Sequence, residues 1–128
     1  MRIHRKSGIT NREFREHYEN VHLPLMRKIS GDLFPEVHAR LYIPFDAGQD
    51  KSDRQATAQV LAGSPENFNF AAISEITYRD MDHFAAHSAL LQSDEHKNAV
   101  AEDCDKFMDV TQQAIILLHS EDIVITLK

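Results

Sequence analysis

Cysteine is almost absent: Cys104 is alone in 128 residues. That excludes an intramolecular disulfide and a zinc site built on thiolates, and a reducing compartment is the expected setting. No apolar run approaches the roughly 20 residues needed to cross a bilayer. The opening Met1-Arg2-Ile3-His4-Arg5-Lys6 is too polar for a secretory leader, so the cytoplasm is the expected location. Positive charge is also scarce. Fourteen Lys and Arg against twenty Asp and Glu give a formal charge of -6, whereas a nucleic-acid binder needs a basic face that releases counterions. Glycine and proline number four each and are scattered. No linker, internal repeat or low-complexity tract divides the chain.

What is present fits one domain with its own core. Hydrophobic residues make up 42% and charged residues 27%, ordinary globular usage that rules out wholesale disorder, and the length is enough to bury a core. A helix is expected over about 11–28, with Thr10 as N-cap and Glu13 completing a capping box. Phe14, Tyr18, Val21 and Leu25 recur at helical spacing as its apolar stripe. Pro24 inside that stripe removes a backbone donor and should kink the helix near His22. Residues 37–43 alternate: Val37, Ala39, Leu41 and Ile43 point one way, His38, Arg40 and Tyr42 the other, as in a strand. A polar loop follows, with a short helix expected over 55–62. Residues 70–78 read as a second strand, with Glu75, Ile73 and Thr77 on one face. Asp80 should cap a helix starting at Met81 with Phe84, Ala85, Leu90 and Leu91 buried. A more polar helix then runs to about Asp109. Residues 114–118 and 123–127, rich in β-branched side chains, are two further strand candidates.

Elements in this order predict an α+β domain, an antiparallel sheet with helices on one face as in a ferredoxin-like domain. The other face, expected to carry His38, Arg40, Tyr42 and Glu75, is too mixed for bulk core and suits a second subunit closing over a polar-lined pocket. Only about four residues precede the Arg5-Lys6-Ser7-Gly8 turn, which is short for a central first strand. Either the chain extends beyond this start, or the last strand supplies the missing edge.

The segment Arg5-Lys6-Ser7-Gly8-Ile9-Thr10, followed by Phe14, His17-Tyr18, Val21-His22 and Pro24-Leu25, resembles the EthD domain family. Its signature is a basic turn and then a helix carrying Phe, an aromatic and Val-His-x-Pro-Leu. Looser likeness continues at Glu75-Ile76-Thr77-Tyr78 and Asp105-Lys106-Phe107-Met108-Asp109. The resemblance implies a dimeric α/β barrel with no metal or organic cofactor. Fungal polyketide pathways use such proteins as dehydratases and decarboxylases on aromatic or nearly aromatic intermediates. Related barrels include cyclases, lactone isomerases and cofactor-free monooxygenases.

Of the candidate residues His22 stands first. A neutral imidazole at a pocket edge is able to take a proton from the carbon next to a carbonyl and return it to a leaving hydroxyl or a carbanion. The competing reading is a core histidine that pins the proline kink. His17, five residues earlier, should lie off the stripe. Tyr18, one turn before His22, is expected in the core with its hydroxyl able to reach the pocket. Arg40 either holds a substrate oxyanion or pairs across the subunit boundary with Glu75. Glu75 is either so paired or a general base. His38 and Tyr42 share Arg40's face as substrate contacts. His83 and His87 have chelating spacing, but no partner motif accompanies them, and an exposed helix face is expected; Cys104 is incidental. The resulting expectation is a cofactor-independent lyase or cyclase on a polyketide-like aromatic precursor. The alternatives are a cofactor-free monooxygenase and a non-catalytic dimeric binding protein. Residues 49–65, long for a strand connection, are expected to border the pocket as a lid.

Overall fold

The computed structural model describes residues 1–43 and 59–128. The lid expected at 49–65 and the helix expected at 55–62 fall largely outside them, and residues 59–62 carry no helix. The domain is α+β. Strand β1 (Arg2–Ile3) leads to α1 (Asn11–His17), a π-helical turn (Tyr18–His22) and α2 (Leu23–Ser30). Then follow β2 (Val37–Tyr42), β3 (Ala72–Thr77), α3 (Met81–Leu91) and α4 (Lys97–Phe107). Among the described residues three strands form an antiparallel sheet in the order β1-β3-β2. Among the described residues no helix is long and apolar enough to cross a membrane.

The expected caps are in place. Thr10 Oγ1 accepts from Glu13 N–H at 3.1 Å and the Glu13 carboxylate accepts from Thr10 N–H at 2.7 Å; Asp80 accepts from His83 N–H at 2.8 Å. The apolar stripe is different from the one predicted. Phe14 and Tyr18 are buried, but Val21 is 45% exposed and the buried positions are His22 and Leu23. Pro24 has no N–H to continue the regular ladder, and Leu23 N–H instead reaches back five residues to Tyr18 O. The wider turn adds one residue to the helix, so the buried face advances by one position. His22 is therefore in the stripe rather than at its edge.

The face of β2 is also the reverse of the expectation, while Ile73, Glu75 and Thr77 of β3 lie away from the helices as expected. His38 contacts Tyr18, and Tyr42 packs edge-on to Phe14 and Tyr18, so His38, Arg40 and Tyr42 face the helices. Register places Arg40 opposite Ser74 and Tyr42 opposite Ala72 on that side. The open face carries Val37 against Thr77, Ala39 against Glu75 and Leu41 against Ile73, with Val37 and Leu41 half-exposed. Alternation alone defines two faces but does not say which one the helices cover. Here the small Ser74 and Ala72 make room for the aromatic rings of the helix, and that settles the choice.

Ile3, Phe14, Tyr18, Leu23, Ala71, Ala72, Phe107 and Met108 form the core. Two further corrections follow. His83 and His87 are buried, not exposed. His87 bonds Ser30 Oγ and Tyr78 Oη, both at 2.8 Å, and His83 Nε2 reaches Leu33 O at 3.0 Å, which ties α3 to the end of α2. At the C-terminus neither 114–118 nor 123–127 is a strand. Ala114 forms an isolated bridge with Arg2, and Ile115–Leu118 and Ile123–Leu127 leave their large apolar side chains exposed. β-Propensity makes a strand only where a ladder partner exists, and the two-residue β1 offers Ala114 a single position.

Candidate active site

The π-helical turn organises the site. On a regular helix residues five apart point about 140° away from each other; in a turn closed by an i→i+5 bond they fall near one face. His17 and His22 consequently both reach the same acid. His22 Nδ1 lies 2.7 Å from Asp103 Oδ2, and His17 Nε2 lies 2.8 Å from Asp103 Oδ1. Asp103, on α4, is buried and accepts from both rings. Phe107, one turn later, stacks on His17 with centroids 4.6 Å apart and lies against His22 at 5.1 Å.

This geometry fixes the chemistry of His22. With Nδ1–H donated to Asp103, a neutral ring carries its lone pair on Nε2. No buried side-chain nitrogen or oxygen among the described residues lacks a partner, and Nε2 has no bond to any of them, so it opens toward solvent. Burial pushes the His22 imidazole below its ordinary value, and the Asp103 bond opposes that only in part. Burial raises the Asp103 carboxyl, but the bonds from His22 and His17 outweigh it and hold the group below the usual range. The pair is thus a neutral imidazole beside a carboxylate, the arrangement of an oriented general base.

Two further polar groups flank it. Tyr18 Oη donates to Ser74 Oγ at 3.3 Å and lies 3.2 Å from His38 Nε2, which is 2.8 Å from Ser74 Oγ. Burial, aided by the Arg40 charge, pushes His38 down to about 4. On the neighbouring position Arg40 meets Glu19, with Nε to Oε1 at 2.7 Å and Nη2 to Oε2 at 3.1 Å, and Tyr42 Oη donates to the same Oε1 at 2.6 Å. Arg40 therefore pairs with Glu19 of the π-helical turn and not with Glu75. Glu75 is exposed on the open face opposite Ala39, on the other side of the sheet from His22. The structure thus brings together His22, Tyr18, His38, Arg40 and Tyr42, and sets Glu75 apart. A cleft of about 120 Å³ lined by His4, Arg5, Asn11, Asn69, Phe70 and Gln112 among others includes none of these side chains.

Asp103 and Glu19 were not singled out from the sequence. Asp103 does leave a trace there: Val100, Asp103, Cys104 and Phe107 share one side of α4 at helical spacing, so an acid stands in an apolar stripe, where burial without a partner is costly. Glu19 leaves none, because its position depends on the π-helical turn. His83 and His87 have both ring nitrogens engaged, and no group of three metal-ligating side chains occurs among the described residues.

The buried histidines predict acid lability. Burial depresses His22, His38 and His87, while the unfolded ring titrates near ~6.5. The unfolded chain then binds protons first, so stability is complete above about pH 6.5 and falls as pH drops below it, for His38 down to about 4. The melting temperature should fall steadily across that window; a flat profile from neutral pH to about 4 would contradict the assignment.

No curated protein and no solved structure matches the chain. The sequence model of the EthD domain matches residues 6–111, a span that holds both histidines and Asp103. It covers most of the 128 residues, and the chain belongs to the EthD domain family.

Proposed function

We propose that the chain is a cofactor-independent enzyme that moves a proton at carbon, a lyase or cyclase of dehydratase or decarboxylase type acting on a polyketide-like aromatic precursor. The observation that carries this reading is the His22–Asp103 pair, with Nδ1 committed and Nε2 open. Nε2 takes the proton from the carbon next to a ketone, and the C–H electron pair moves into the carbonyl as an enolate. The enolate then expels a hydroxyl on the adjacent carbon, which leaves as water with the proton returned from Nε2–H. In decarboxylation Nε2 takes the proton of a carboxylic acid on the carbon next to the ketone, the C–C electron pair moves into the carbonyl as carbon dioxide leaves, and Nε2–H then returns the proton to the enolate carbon. Asp103 stabilises the imidazolium in either case. Tyr18, His38 and Tyr42 form the polar wall beside the base. Glu19 and the His38 carbonyl fix the Arg40 guanidinium through all three of its nitrogens, and the second N–H of Nη1 or Nη2 suits an enolate oxygen. Glu75 serves only where a second subunit closes over the open face.

The test is turnover of phenolic cyclic ketones, read by product mass and oxygen uptake. Loss of water or carbon dioxide without oxygen consumption is the expected result. Stoichiometric oxygen uptake assigns a cofactor-free monooxygenase instead, and affinity without turnover assigns a binding protein.

The assembly proposed is a homodimer of ferredoxin-like subunits forming a dimeric α/β barrel. Its support is the apolar surface left uncovered: Val37 and Leu41 on the open face, and the tail from Ile115 to Leu127, where Val124 and Leu127 are 87% and 85% exposed. Large apolar side chains left exposed in this number favour an interaction site. Light scattering at micromolar concentration should give twice the 14.6 kDa chain mass; a monomer alone would contradict the dimer.

A further inference from the structure

We propose that His17 is a positioning residue that sets the basicity of His22 through the carboxylate they share. The inference rests on His22 being the base. Asp103 has two oxygens, and each is taken by a different ring, Oδ1 by His17 and Oδ2 by His22. His17 thereby fixes the rotation of the carboxylate that holds His22 Nδ1–H, and it is itself fixed by stacking on Phe107. The charge balance gives the second effect. One carboxylate neutralises one imidazolium. A proton on either ring is stabilised by Asp103, but a second proton meets a cation already present at the other end of the same carboxylate. The two rings therefore titrate as one coupled unit rather than as independent sites.

Among the described residues the titratable and charged groups facing His22 are few. They are Asp103 from α4, His17 and Tyr18 from its own helix, and His38 from β2. Arg40 and Glu19 lie beyond His38 and close on each other. Of these, His17 alone is bonded to the carboxylate that orients His22. His17 is also the more accessible of the two rings, with a side chain 20% exposed against 9% for His22, so it exchanges protons with solvent directly.

The experiment is a nitrogen-15 NMR titration of the histidine rings in the full chain, for the wild type, His17→Gln and His17→Ala. In the wild type both rings should give coupled, two-step curves. His17→Gln keeps a donor to Asp103 but cannot take a proton. The His22 curve should collapse to a single step whose midpoint moves up by at least about half a unit, a threefold change in proton affinity. His17→Ala releases the carboxylate, and His22 should then populate both tautomers instead of Nδ1–H alone. A purely structural His17 would move neither midpoint nor tautomer. Independent one-step curves in the wild type would overturn the proposal even if both variants failed to fold, as would an unmoved His22 midpoint in His17→Gln. The outcome is separate from that of the proposed activity. If His22 variants turn over normally while the coupling holds, the assignment of the base fails and the shared carboxylate stands. If the coupling is absent and His22 variants are inactive, only the role of His17 is lost.

Discussion

Replacing His22 should lower turnover per folded molecule by about 10²–10⁴, the usual contribution of a positioned general base. The substitution that isolates the chemistry is His22→Asn. Its amide nitrogen stands near the place of Nδ1 and can donate to Asp103, which is 2.7 Å from that atom in the native chain, while nothing replaces Nε2. His22→Ala should lose activity to the same degree but also melt lower, because the ring is buried against Tyr18 and Phe107 and its removal leaves a cavity. A structural histidine predicts the opposite pattern, with lower melting temperatures and normal turnover in the surviving folded fraction. Measuring both quantities on both variants separates the two readings.

Asp103→Ala should be the most damaging single change to stability in the site. It removes the acceptor of two ring N–H groups at once. His22 is nearly sealed and has no other partner for Nδ1–H among the described residues, and an orphaned buried donor costs about 1–3 kcal/mol. His17 is partly exposed and regains water, so its share is smaller. The sum is about 2–4 kcal/mol, or about 10 °C in melting temperature for a domain of this size. Turnover should fall as well, by about tenfold or more, since His22 is then free to adopt the tautomer with Nε2–H. Thermal unfolding followed by circular dichroism checks the first effect, and an unchanged melting temperature would mean that the His17–Asp103–His22 bridge is not made in solution.

The sequence revealed the elements more reliably than their faces. Thr10, Glu13 and Asp80 announced the helix starts through capping chemistry that acts within one turn, and all three caps form. The alternation at Val37–Tyr42 and Ala72–Thr77 announced β2 and β3. What local pattern does not determine is whatever depends on distant partners. His38, Arg40 and Tyr42 were assigned to the wrong sheet face because period-two alternation is symmetrical until something packs on one side. Ile123–Leu127 has strand propensity but no ladder to join. His83 and His87 are polar, and polarity suggests exposure, whereas Ser30, Tyr78, the Leu33 carbonyl and the Arg79 N–H supply a partner for each ring nitrogen.

The site was half legible for a related reason. Pro24 was correctly read as a disturbance, but not as the cause of a wider turn. That turn moves His22 into the buried stripe and swings His17 and Glu19 to where they meet Asp103 and Arg40. A helical wheel drawn at 3.6 residues per turn misplaces His22 relative to His17 by about one position.

The central claim is that Nε2 of His22 removes a proton from carbon, and solvent deuterium exchange measures that step without requiring a completed reaction. The full chain is incubated in deuterated buffer with a phenolic cyclic ketone bearing a C–H next to the carbonyl, and deuterium at that carbon is followed by proton NMR. The account predicts exchange by the wild type well above the buffer rate and a return to the buffer rate in His22→Asn. Equal exchange by the wild type and by folded His22→Asn would contradict it.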